Sequence, residues 1–183
     1  MPKRPIVTWP NPVLKERCTP VEHFDAALHE LIDDMLETMV VEEGIGLAAN
    51  QVGVTQRIFV MSIPDEEGRQ DSAFEMINPV IEEQRGEVQY EEGCLSFPDL
   101  NELVTRAAEI QITFQDRTGA HQKMQLGGIA AVCVQHELDH LDGITFVDRL
   151  SPLKRRLALK AYLRNQRQKA GDDRAEQRRA LRG

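Results

Sequence analysis

The 183-residue chain has no apolar run of about 18 residues or more, so nothing in it reads as a membrane-spanning helix. Its opening stretch, "MPKRPIVTWPNPVLKERC", has basic residues but neither an apolar segment nor a small-residue cleavage site. No signal peptide is therefore expected. Cysteine is scarce. Cys18, Cys94 and Cys133 are an odd set of three, which argues against a disulfide framework and for reduced thiols in a cytoplasmic setting. There is no internal repeat, and no low-complexity block precedes the tail. Residues 1–150 are short of positive charge, with 11 Lys+Arg against 27 Asp+Glu, a net of −16. Residues 151–183 reverse this, with 11 against 3 and a net of +8, so the whole chain stands at −8. Hydrophobic content of 41% and charge of 28% are ordinary for a soluble globular protein of one-domain length.

Within those bounds the pattern of apolar residues is informative. Phe24, Leu28, Leu31, Ile32, Met35 and Met39 recur at helical spacing and predict an amphipathic helix over 25–42. "EEGIGLAANQVGV" follows, its glycines and small residues letting the backbone pass close to something. "RIFVMSI" reads as a strand bounded by the polar loop "PDEEGRQDS". "FEMINPVIEE" and "GEVQYEEG" read as strands joined by a turn at Arg85-Gly86. Alternation on both sides of Asp116-Arg117-Thr118-Gly119 predicts a β-hairpin. "GGIAAVCVQHELDHLDG" then switches to helix, with Gly143 as its stop. The order predicts an α+β fold with mostly antiparallel strands around that helix.

The last of these stretches carries chemistry. His136-Glu137-Leu138-Asp139-His140 matches HExxH. Four residues turn a helix by about 400°, so both imidazoles lie on nearly one face, able to share one ion. Ile129, Val132 and Cys133 continue that face, which puts the histidines on the buried stripe. Buried imidazoles need partners, and a shared metal provides one for each. Glu137 lies about 100° round the helix, where a general base edges the site. His23, His29 and His121 are isolated and read as ordinary histidines.

Two histidines make half a site. Cys94, in "YEEGCLSFP", is the favoured third ligand, because a thiolate with two imidazoles leaves one position open for water. Spacing does not decide this, since Cys94 lies 42 residues before His136. Cys133 competes by proximity, but its short side chain one turn ahead of His136 is better placed to pack beside the site. Cys18, in a proline-flanked loop, reads as structural.

Three stretches then carry a resemblance. "GIGLAANQ" (44–51), "EGCLS" (92–96) and "QHELDHLDG" (135–143) resemble the three signature motifs of peptide deformylases, in that family's order and spacing. The likeness runs over roughly residues 5–160 and is closest to the bacterial form with a C-terminal helix. It implies a ferrous enzyme, also open to Zn2+, Ni2+ or Co2+, that removes the N-formyl group from the initiator methionine of nascent chains. Carried over residue by residue, the ligands are Cys94, His136 and His140, and Glu137 is the acid/base. The Gln51 amide and the Leu95 backbone N–H form an oxyanion hole, and the Gly46 backbone helps hold the peptide. Ile45, Ile129, Val132 and Cys133 shape the methionine pocket. Arg106 matches the family and is expected to brace the site by pairing with Glu43 or another acid. Asn101 departs from the basic residue that some bacterial relatives carry near the substrate mouth.

The tail from Ser151 contains Leu157, Leu159, Tyr162 and Leu163 among many basic residues and predicts a helix over 153–169, fraying after Gly171. This divides the chain into a catalytic unit, 1–150, and a basic helix and tail, 151–183. The helix is either a solvated surface element or a dock for a polyanion such as RNA. In relatives such a helix docks near the ribosomal exit tunnel. Two rival functions are weighed. An HExxH zinc metallopeptidase shares the helix but usually lacks a cysteine ligand in an "EGCLS" setting. A non-catalytic binder of nascent chains has no need of the intact ligand set, Glu137 and Gln51.

Overall fold

A computed structural model describes residues 4–63 and 73–180, with the backbone alone for residue 170 and residues 172–180. The elements are α1 (Ala26–Val41), β1 (Gly46–Ala48), β2 (Ile58–Met61), β3 (Phe74–Arg85), β4 (Val88–Cys94), β5 (Phe97–Arg106), β6 (Glu109–Gln115), β7 (His121–Gly127), α2 (Gly128–Leu141) and α3 (Pro152–Ala180). An α+β fold with antiparallel pairing results. One sheet runs β1-β2-β3-β6-β7, and β4 and β5 form a second, two-stranded sheet. Among the described residues no helix is long and apolar enough to cross a membrane.

The core has two layers because strand residues alternate in direction. On β2, Ile58 and Val60 join Leu28, Ile32, Met35 and Met39 of α1. Phe59 and Met61 point the other way and meet Ala131 and Val134 of α2. The strand is apolar throughout because both of its faces are covered. Helix α1 starts where the Asp25 side chain accepts the Leu28 N–H at 3.0 Å, one residue inside the expected start. Helix α2 packs on β1, β2 and β7 and ends before Gly143, whose φ of +72° is the left-handed stop that glycine supplies.

The 116–119 turn joins β6 to β7 as expected. Three expectations change. The chain does turn at Gly86, but β3 and β4 enter different sheets. Strand β3 presents Met76 and Ile77 to the core, whereas β4 buries only Glu92 and pairs with β5 instead. Strand β5 itself is absent from the sequence reading. Its Leu103 points outward, 54% exposed, while Arg106 points inward, so hydrophobicity hides the alternation. Finally, α3 continues to Ala180 rather than fraying after Gly171. One glycine costs about 1 kcal/mol against alanine, which the helix formers around it offset. The expected "PDEEGRQDS" loop lies outside the described residues.

A third cluster ties α3 to the body. Ala158 and Tyr162 pack with Phe97, Val104, Phe146 and Val147. The other side of α3 stays open, with Leu153 and Leu157 57% and 56% exposed.

Candidate metal centre

Helix α2 carries His136 and His140 one turn apart, 8% and 0% exposed, with ring centroids separated by 5.0 Å. Strand β4 delivers Cys94 from the other side, just past a pairing irregularity between Glu92 and Cys94. The Cys94 Sγ lies 3.2 Å from His140 Nε2. One potential ligand atom from each of Cys94, His136 and His140 falls within 4.8 Å of the others, the one such convergence found among the described residues. Burial foremost, then the charges of His136 and Arg106, depresses the His140 pKa well below its ordinary value. His136 shifts the other way: against burial, its bonds to Cys94 and Glu92 raise its pKa well above the ordinary value, so a cation bound there would displace a proton. A thiolate with two imidazoles is a donor set for a transition-metal ion. Among the described residues, Glu137 Oε2 is buried without a hydrogen-bond partner, which also fits a centre that takes up a cation and water.

A network of buried charges orients this group. His136 Nδ1 bonds Glu92 Oε2 at 2.8 Å, which turns its Nε2 away from Glu92. Glu92 in turn receives Arg106 through two bonds of 2.7 and 2.9 Å. Arg106 also reaches Asp139 Oδ2 at 2.6 Å, and Arg149 donates to the same carboxylate at 2.9 Å. Burial pushes the Glu92 carboxyl up, but the bonds from Arg106 and His136 outweigh it and hold the pKa at about 2. Phe146 stacks on His136, centroids 6.0 Å apart, and caps the ring on its protein side. Arg106 thus pairs with Glu92 and Asp139, while Glu43 lies exposed at the rim.

Glu137 is 4% exposed. Burial and then the neighbouring Glu92 charge lift its pKa to about 7, against the opposing charges of His136 and Arg106. A carboxyl poised there exchanges a proton near neutral pH. Gln51 sits in the 3-10 turn Ala49–Val52. Its Oε1 accepts the Ala48 N–H at 2.8 Å, which aims Nε2 at Ser96 Oγ, 3.2 Å away, and Cys94 Sγ, 3.5 Å away.

A cavity of about 550 Å³ opens beside this group. Ile45, Gly46, Gln51, Cys94, Leu95, Ile129, Val132, Cys133, His136 and Glu137 all line it, and His140 lies buried behind. Gly46 explains the small residues of "GIGLAANQ". A Cβ there would fall against the Glu137 carboxylate and 2.8 Å from Cys133 Sγ. Cys133 itself stands outside the donor cluster, its Sγ 3.5 Å from the Ile45 carbonyl, so it packs beside the site. Burial raises its pKa well above normal and keeps it a thiol. Asn101 lines the mouth, and His29 is engaged 2.8 Å from the Arg117 carbonyl. The sequence reading gave no role to Glu92, Asp139, Arg149 or Phe146. Two of them stand inside the quoted motifs, where a carboxylate beside a ligand was the available signal.

Known proteins resemble this chain along most of its length. The family model described as polypeptide deformylase matches residues 3–156. A peptide deformylase from Wolinella succinogenes is 46% identical over 165 residues, covering 89% of this chain and 97% of its own length. The crystal structure of a peptide deformylase from Legionella pneumophila superposes with a TM-score of 0.84 at 40% identity, covering 91% of this chain and 97% of its own. A class I type b peptide deformylase from Acinetobacter baumannii, solved with Met-Ala-Ser bound, gives 0.76 at 34% identity, covering 80% and 98%. With three motifs in order, their residues gathered on one cavity and likeness along nearly its whole length, the chain belongs to the peptide deformylase family, which is metal-dependent.

Proposed function

We propose that this chain hydrolyses the formamide at the N-terminus of N-formylmethionyl nascent peptides, releasing formate and a free amine. The convergence of Cys94, His136 and His140 beside an unpartnered Glu137 oxygen carries the reading. In it, those three residues hold a divalent cation, and Glu92 and Arg106 fix their orientation. Ferrous iron is the working ion by family likeness, and the same donors accept zinc, nickel or cobalt. Such a cation supplies Lewis acidity and brings the pKa of water toward about 7.

Glu137 takes the proton from the attacking water. As charge develops on the formyl oxygen, Gln51 Nε2 and the Leu95 N–H donate to it. The bond between Gln51 Oε1 and Ala48 N–H holds the amide the right way round for that task. Glu137 then returns the proton to the departing nitrogen. Strand β1 is the edge of its sheet, so the backbone at Gly46 is available to pair with an extended peptide. Ile45, Ile129, Val132 and Cys133 form the apolar wall for the methionine side chain, a place suited to a flexible thioether. Tight approach at Gly46 keeps that wall against Glu137.

Glu137→Gln tests the assignment. The variant keeps its shape and binds metal, yet formate release falls by orders of magnitude. Loss of metal together with activity would instead make Glu137 a ligand. The metallopeptidase reading is not favoured, because the third donor is a thiolate and the relatives are deformylases. Residues 1–150 act as the catalytic unit, at work in the cytoplasm where nascent chains are made. Residues 151–183, a basic helix and tail whose Ala158 and Tyr162 pack on the body, dock on ribosomal RNA near the point where those chains emerge.

A further inference from the structure

The 3-10 turn Ala49–Val52 touches two of the three metal-site residues with consecutive side chains. Gln51 reaches Cys94, as described above. Asn50 reaches the other side: its Nδ2 donates to the His140 carbonyl at 2.6 Å. Asn50 and His140 are both 0% exposed. Their remaining polar atoms have complementary needs. Asn50 Oδ1 and His140 Nδ1 are both buried without a partner among the described residues. The His140 nitrogen nearer Cys94 is Nε2, at 3.2 Å, so a neutral ring that binds a cation through Nε2 carries its proton on Nδ1. An amide oxygen only accepts, and Nδ1–H only donates. The two atoms do not bond each other directly, and leaving both unsatisfied costs free energy that a single buried water bonded to each removes.

We propose that Asn50 is a positioning residue for His140. Its Nδ2 holds the backbone of the ligand, and its Oδ1 accepts a hydrogen bond relayed from Nδ1–H by a buried water, which fixes the tautomer and aims Nε2 at the cation. Glu92 serves His136 in the same manner, so each histidine has its own orienting partner from a different element. The inference rests on the reading of His140 as a ligand made under the proposed function. It adds to that reading that the turn carrying Gln51 is a clasp: Asn50 and Gln51 together set the separation of His140 and Cys94.

The test is Zn2+ binding by the full chain, measured by competition with a chromophoric chelator, alongside side-chain 15N spectra of the Zn2+-loaded protein. Asn50→Leu keeps the branched shape, at a somewhat larger volume, and removes both hydrogen-bonding groups; it is expected to weaken Zn2+ affinity by about 10–100-fold. Asn50→Asp keeps the acceptor but loses the donor to the His140 carbonyl, and is expected to lose clearly less affinity than Asn50→Leu. Equal affinity for wild type and Asn50→Leu, or an equal loss in both variants, overturns the proposal. If Asn50→Leu does not fold, the spectra of wild type and Asn50→Asp decide. A slowly exchanging proton on His140 Nδ1 in both supports the role, and a proton on Nε2, or one on Nδ1 exchanging at the solvent rate, overturns it. Zn2+ binding by wild type without any shift of the His140 resonances would remove the ligand assignment and this inference with it.

Discussion

Arg106→Ala removes the residue that, among the described residues, joins Glu92 beside the metal centre to Asp139 and Arg149. Arg106 is 5% exposed, and its three bonds to Glu92 and Asp139 measure 2.7, 2.9 and 2.6 Å. The two carboxylates do not lose everything: Glu92 keeps His136 and Asp139 keeps Arg149. Breaking a buried ion pair by deleting one partner costs about 3–5 kcal/mol, and the surviving bonds place this case at the lower end. The lowered Glu92 pKa, from 4.5 to about 2, points the same way, because Arg106 is one of the two groups that hold it down against burial. For a chain of this length a loss at that lower end reduces Tm by roughly 6–12 °C. Urea denaturation at pH 7 measures the loss. Arg106→Lys restores charge without the two-pronged fork and recovers only part of it.

The pH dependence gives a second reading of the same bond. A carboxyl depressed in the fold stabilises above its unfolded pKa, near 4.5, and that contribution disappears as pH falls toward about 2. Wild type therefore loses its advantage over Arg106→Ala across this acid window. A variant within about 1 kcal/mol of wild type at pH 7, with an unchanged acid slope, would refute the reasoning.

Three further outcomes are expected. Gln51→Ala removes one donor to the developing oxyanion and should lower kcat about 10²–10³-fold with metal content unchanged; a change in KM alone would assign Gln51 to ground-state binding. Gly46→Val drives side-chain atoms into Glu137 and Cys133 and should abolish formate release while costing about 1–3 kcal/mol in stability; ordinary turnover would show that β1 yields easily there. Ending the chain at Leu150 should remove salt-dependent ribosome binding in a sedimentation assay, and a truncated protein that sediments like the full chain would dismiss the docking role of α3.

Where the sequence was legible, one periodicity served two purposes. In α2 Ile129, Val132, Cys133 and His136 share the face that lines the cavity, so a single pattern located both the helix and its histidines, although the helix is buried on nearly every side. The β6–β7 hairpin was readable because its turn residues and flanking alternation agree. Strand β5 was not, because Leu103 faces out and Arg106 faces in, inverting the usual signal. The partners of Arg106 lie 14 and 33 residues away on β4 and α2, a relation that spacing along the chain does not encode. For the same reason Cys94 was favoured on its chemistry and only the fold brings its sulfur to His140. Gln51 was assigned through family likeness alone; its orientation depends on a backbone N–H at Ala48 that no side-chain pattern announces.

The most direct test compares formyl-Met-Ala-Ser with Met-Ala-Ser, using anaerobically prepared, iron-loaded protein and following formate and peptide fragments separately. The account predicts formate from the first peptide, nothing from the second and no peptide-bond cleavage in either. Cleavage of either peptide, or no formate from a metal-loaded protein, would contradict it.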